Sequence, residues 1–172
     1  MSEVNLAWAE EFSGRWEQAW ASHDPERVLG LMTEDIVYDD SAWPTTMRGH
    51  ADVRRFLEVA WRAMPDLEFF LTEGPYLRRG ASSAAFYWRG TGTFTGPLDP
   101  PGFAPTGKSL EFHGADFHEY RDGKVSRLRI VFDNMDVGRQ LGLLPASGSA
   151  AEKAGAAAQR LGVRARGLRN RG

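Results

Sequence analysis

Asp116 and His118, two side chains able to carry protons, stand in the stretch FHGADFHEYRDGKV at 112–125. The Asp-Gly pair at 122–123 predicts a β-hairpin about Arg121-Asp122-Gly123, because Gly takes the positive φ of a tight turn. On the first strand Phe112, Gly114, Asp116, His118 and Tyr120 then share one face. On the second, Leu128, Ile130 and Phe132 share a face, with Arg127 and Arg129 opposite. If the apolar face is the interior, Asp116 and His118 enter it from the neighbouring strand, although a one-residue slip would reverse this. A carboxyl group between Ala115 and Phe117 is costly to bury unless it is paired or used. Its plain structural alternative is an ion pair with Arg127 or Arg129. His118 fits a general acid or base that titrates near neutrality; its alternative is an exposed site near the turn. His113 has the opposite parity.

The elements that must hold these residues follow from periodicity. Trp8, Phe12, Trp16 and Trp20 recur every four residues and predict a helix over about 4–22. Asp24-Pro25 starts a second helix, with Asp as N-cap and Pro at the first position, and this helix stops near Glu34. Residues 36–40 form a short strand before the loop 41–49, and a third helix covers about 51–64 up to Pro65. His23 and His50 sit at helix starts and read as structural. Alternating runs then give four long antiparallel strands. The Pro- and Gly-rich stretch 95–106 is a loop of the kind that often rims a site. Asp133, beside Asn134 and Asp136, reads as a cap. The predicted class is α+β: a curved, mostly antiparallel sheet wrapped around three N-terminal helices, a roll or cone with an apolar cavity between the layers. Six Trp and ten Phe fit an aromatic lining for that cavity.

Composition narrows the function. The chain has 172 residues and 42% hydrophobic content, enough for one domain with a sizeable core. Without Cys there is no disulfide, thiol nucleophile or Cys-held metal. Scattered His residues, none paired at helical spacing, argue against a metal site. No apolar run spans a bilayer and the N-terminus lacks a signal-peptide pattern, so neither a membrane nor an export route is expected, and the default location is cytoplasmic. Residues 152–172 carry six Lys and Arg against one acid, a charge of 6 − 1 = +5, which leaves 15 − 22 = −7 for residues 1–151. This tail, 146–172, reads as a weak Ala/Arg-rich helix or a disordered segment after a domain at 1–145. Spread cations without interleaved aromatics do not make a nucleic-acid site.

The chain resembles the SnoaL-like polyketide cyclases of the nuclear-transport-factor-2-like superfamily. The resemblance rests on EDIVYDD at 34–40, RGHADVRRFL at 48–57, FHGADFHEYRDGKV at 112–125 and FDNMDVGRQLG at 132–142. It implies a cone-shaped α+β roll, a deep apolar cavity, no metal or organic cofactor, and homodimers or tetramers formed through the sheet. The cyclases' His falls on Asp116 or His118, depending on where the count begins. Their acid–base Asp falls on Ile130, so their mechanism does not transfer intact. The ketosteroid isomerases, which share the fold, are also similar: their base Asp corresponds to Asp39 and their protonated Asp to Asp116, while their Tyr falls on Trp16. Leu128, Ile130 and Phe132 fall on cavity-lining positions.

Together these readings imply an enzyme of cyclase or isomerase type acting on a hydrophobic carbonyl compound such as a polyketide. Asp39 would be the base, Asp116 the hydrogen-bond donor and His118 an auxiliary proton carrier. Trp16, Trp20, Trp43 and Phe132 would line the pocket with Leu128 and Ile130. Two alternatives stand beside this: a non-catalytic module binding a small apolar ligand or serving as an oligomer interface, and an epoxide-hydrolase-like Asp-Arg-Asp water activation with Arg129 facing inward.

Overall fold

The protein is described by a computed structural model covering residues 4–169. The elements run α1 (Leu6–Ala21), α2 (Pro25–Gly30), β1 (Met32–Asp40), β2 (Met47–Arg48), α3 (Gly49–Ala63), β3 (Glu68–Leu77), β4 (Ser83–Thr93), β5 (Ser109–Arg121), β6 (Lys124–Phe132), α4 (Asn134–Gln140) and α5 (Ala150–Arg169). Six strands form one curved sheet in the order β2-β1-β6-β5-β4-β3. Only β1 with β6 is parallel; the other neighbours are antiparallel. This is the expected α+β architecture.

Burial alternates strictly along β5, where every even-numbered residue from Leu110 to Tyr120 is buried. Such alternation marks a sheet with one covered face. The cover is α1 and α3, which present Phe12, Trp16 and Trp20, and Val53, Leu57 and Trp61, to the sheet's Tyr38, Phe86, Trp88 and Leu128. The β5–β6 turn is two residues long, Asp122 and Gly123, both at positive φ (54° and 75°), as the strand twist favours.

Two elements depart from the sequence reading. The second helix ends at Gly30, and β1 already begins at Met32, because Met32 is fully buried and aligned with Val125 at the start of β6. Residues 134–140 form a two-turn helix, α4, whose N-terminal N–H groups on Met135 and Asp136 are both capped by Asp133. The basic tail is helical: α5 carries mostly exposed side chains where these are described, and Arg139 bonds Glu152 in its first turn.

Two glycines let the sheet's aromatic rings lie flat against a neighbouring strand. Trp88 is opposite Gly114 and Phe112 is opposite Gly90 in the β4–β5 register. A Cβ on Gly114 would stand 2.4 Å from the Trp88 ring and 2.7 Å from the Val131 carbonyl oxygen. One on Gly90 would stand 2.6 Å from the Phe112 ring. Each ring thus fills the space of a missing side chain, and both rings border the cavity described below. Gly114→Ala is expected to destabilise the fold by about 1–3 kcal/mol through overpacking. Gly155→Ala, in the helix interior of α5 with nothing within 4 Å of its added Cβ, is expected to be neutral or stabilising by up to about 1 kcal/mol. Urea unfolding of the two variants checks the opposite signs.

Candidate active site

A cavity of about 300 Å³ lies between the helices and the sheet. Trp16 and Trp20 of α1, Phe56 of α3, Trp43, and Ile130 and Phe132 of β6 form much of its wall. The loop 95–106 adds Leu98, Pro100, Pro101 and Phe103. Backbone bonds between Leu98 and Phe103 close its tip, while Thr95 and Gly96 both donate to the Ala63 carbonyl at the end of α3. Of the pocket residues expected from sequence, Trp16, Trp20, Trp43, Ile130 and Phe132 line the cavity. Leu128 does not; it is completely buried in the core, one row of side chains away.

Register decides which carboxyl groups reach this space. Asp116 is opposite Ile130 across β5–β6, and Ile130 is opposite Asp40 across β6–β1. The three side chains therefore form one row on one face, Asp40–Ile130–Asp116, and all three line the cavity. At about 4.8 Å between strands, the two aspartate backbones stand about 10 Å apart with Ile130 between them. The next row on the same face is Tyr38–Leu128–His118.

Asp39, the base expected from the resemblance, lies on the opposite face. Its carboxylate pairs with Arg127 at 3.3 Å and accepts the Thr46 hydroxyl at 2.6 Å. The cavity receives Asp40 instead, because successive residues of a strand point to opposite sides. The Tyr38 hydroxyl donates to Asp40 Oδ2 at 3.2 Å and the Ala42 N–H to Oδ1 at 2.8 Å. Burial dominates these bonds and pushes the Asp40 carboxyl up to about 6.

Asp116 forms no ion pair with Arg127 or Arg129. Its Oδ2 lies 3.0 Å from His118 Nε2, and His118 Nδ1 lies 3.2 Å from the Tyr120 hydroxyl. The chain runs along alternate residues of one strand and is almost wholly buried, with Asp116, His118 and Tyr120 at 3%, 1% and 4% exposure. Burial, with the nearby Asp116, pushes the Tyr120 phenol up, so it keeps its hydrogen. With the Tyr120 hydroxyl donating to His118 Nδ1, the imidazole has its Nε2–H to donate to Asp116 Oδ2. Asp116 Oδ1 is left without a partner. His118 does not itself line the cavity; it stands behind Asp116, edge-on to Trp16 at 4.8 Å between ring centres.

Asp40, Tyr38, Tyr120 and Glu17 are the residues that sequence reading passed over. Tyr120 shares the parity of Asp116 and His118. Glu17 directly follows Trp16 and sits one turn before Trp20; its Oε1 accepts the Leu71 N–H at 3.0 Å and it lines the cavity. Two expected structural histidines do have such roles: His23 bonds the Leu67 carbonyl and stacks on Trp61, and His50 contacts the Met32 carbonyl. His113 stacks on Tyr87 on the outer face. Among the described residues no group of three His, Asp or Glu could hold a metal ion.

Asp40 makes stability depend on pH with a definite sign. The folded carboxyl holds its proton more tightly than the unfolded one, about 6 against 3.8. Its neutral form supports the fold below about pH 4, and that support is lost as pH rises through about 6. The loss amounts to about 3 kcal/mol. Asp40→Asn should remove this slope, so the stability difference between wild type and variant, measured by urea unfolding at pH 4, 5, 6 and 7, should change across that window.

Comparison with known proteins gives the same frame. AclR from Streptomyces galilaeus, a candidate hydroxylase, superposes with a TM-score of 0.69 at 21% identity, over 94% of this chain and 98% of AclR. A candidate SnoaL-like polyketide cyclase from Jannaschia sp. CCS1 gives 0.69 at 17% identity, over 84% and 100%. A protein of ketosteroid isomerase-like fold from Catenulispora acidiphila DSM 44928, solved with trimethylamine, gives 0.64 at 21% identity, over 81% and 97%. No curated protein matches the chain. The model of the SnoaL-like polyketide cyclases matches residues 10–141, a stretch holding the whole row Asp40–Ile130–Asp116 and the His118–Tyr120 chain behind it, so the chain belongs to the SnoaL-like polyketide cyclase family.

Proposed function

We propose that this protein is an enzyme of cyclase or isomerase type that acts on a hydrophobic carbonyl compound by proton abstraction and enolate stabilisation. The observation that carries this reading is that Asp40 and Asp116 line one aromatic cavity on either side of Ile130. Asp40 is the base. Its carboxyl, at about 6, is ionised at neutral pH yet basic enough to take a proton from carbon, which is where general bases work best. It removes the proton next to the carbonyl; the C–H electron pair forms the C=C bond and the carbonyl π pair moves onto the oxygen. Asp116 is the donor. A hydrogen on Oδ1, the oxygen without a protein partner, meets that oxygen. Asp40 then returns its proton to another carbon, an isomerisation, or the enolate attacks a second carbonyl and closes a ring.

Ile130 occupies the place of the acid–base Asp of the polyketide cyclases, and its neighbour in the row is Asp40. A carboxyl group thus remains available one strand away. His118 and Tyr120 are positioning residues: they fix the Asp116 carboxyl through Oδ2. The Asp-Arg-Asp reading lacks its arginine, since Arg129 is exposed and aligned with Asp39 on the outer face, and no arginine is among the residues lining the cavity.

The test is hydrogen–deuterium exchange at the carbon next to the carbonyl of two- and three-ring ketones, beginning with 2-tetralone, followed by proton NMR in deuterated buffer. Wild-type protein should accelerate exchange, with a rate that rises with pH through about 6. Asp40→Asn should lower the rate by about 10²–10⁴-fold. Tyr120→Phe should lower kcat several-fold with KM kept, because it loosens the donor and leaves the walls intact. Exchange no faster than in buffer across the whole ketone panel sinks the enolisation reading and leaves the binding module.

A further inference from the structure

Carboxyl side chains line the cavity without a basic partner. Glu17, Asp40 and Asp116 border it, and among the described residues no Lys, Arg or His does. The remaining wall is apolar and aromatic, with Trp16, Trp20 and Trp43 presenting indole rings. Asp116, 97% buried by its 3% exposure, keeps one oxygen unpartnered at this wall. Half-buried Glu17, also on the wall, uses Oε1 for the Leu71 N–H and has Oε2 to spare. Carboxylates offer acceptors and negative potential, and the faces of indole rings attract cations, most strongly where water is excluded. The same surroundings disfavour an anion, which would find no cation, although Trp20 offers a buried N–H without a protein partner. Residues 1–151, these three acids included, carry a formal charge of 15 − 22 = −7, a field that favours the approach of cations.

We propose that the cavity selects its ligand by charge: it takes a compact ring compound carrying a protonated amine, and it turns away carboxylates and phosphates. The ammonium group sits against Glu17 and the indole rings of α1, while the opposite end of the molecule reaches the Asp40–Asp116 row. The carbonyl substrate therefore carries an amino group. This inference rests on the cavity being the substrate site; it does not depend on enolisation.

The four cavity tryptophans, the three above and Trp88, report occupancy directly through their fluorescence. Full-length protein is titrated at pH 7.5 with three compounds of one skeleton: 2-aminotetralin, 2-tetralone and tetralin-2-carboxylate. The ammonium compound should bind at least about 10-fold more tightly than the neutral ketone, and the carboxylate most weakly. Glu17→Gln keeps an Oε1 acceptor for Leu71 and removes the charge, so it should bring the ammonium-to-ketone ratio down towards one. Equal or tighter binding of the ketone or the carboxylate, an unchanged ratio in the Gln variant, or no binding by the amine overturns the proposal. The exchange assay separates the two ideas. Exchange without amine preference removes charge selection alone, and amine preference without exchange removes the enolisation chemistry alone.

Discussion

The site depends on one constraint, the joint register of three strands. β6 is held to β5 by a two-residue turn and to β1 by parallel pairing, and these two alignments together decide what faces the helices. Shift either by one residue and the inner row changes from Asp40–Ile130–Asp116 to outer-face residues. The buried residues enforce the alignment, since Tyr38, Leu128 and His118 in the next row are all essentially without exposure. Burial of the core thus fixes the position of the polar groups, although those groups are costly to bury.

The unequal surroundings of the two carboxyls give them different capacities. Asp40 takes its hydrogen bonds from a backbone N–H and a phenol, and its burial outweighs both. Asp116 takes one from an imidazole whose other nitrogen is occupied by a second phenol. Each aspartate is therefore backed by a tyrosine, directly in one case and through a ring in the other. Neither tyrosine gives up its proton readily in this setting, since burial pushes both phenols up. They orient the groups in front of them.

The hairpin half of the site was legible in the sequence because its information is local. Asp122-Gly123 sets the register, and alternation then puts Asp116, His118, Ile130 and Phe132 on one face. The other half was not. Asp39 and Asp40 are adjacent, and nothing near them in the chain says which faces inward. Their parity is set by contact with residues about ninety positions later, Arg129 and Ile130. The same non-local pairing drew β1 back to Met32 and shortened the preceding helix. The aromatic stripe of α1 pointed correctly to Trp16 and Trp20, but a periodicity of apolar residues says nothing of Glu17 at its edge. Leu128 was assigned to the lining by the likeness to the isomerases; depth within a face, unlike the face itself, depends on how the helices pack.

The loop 95–106 is fastened at both ends and held more lightly between them. Its first residues bond α3, Thr106 bonds the Leu141 carbonyl beyond α4, and the stretch between is joined to the body by the Arg62 bond to the Asp99 carbonyl. That stretch forms part of the cavity wall, whereas the carboxyl row belongs to the sheet on the other side. The loop side of the cavity is thereby structurally separate from the sheet side that carries Asp40 and Asp116. Changes at Leu98 or Phe103 would reshape one wall and leave in place the strand alignment that sets the carboxyl row.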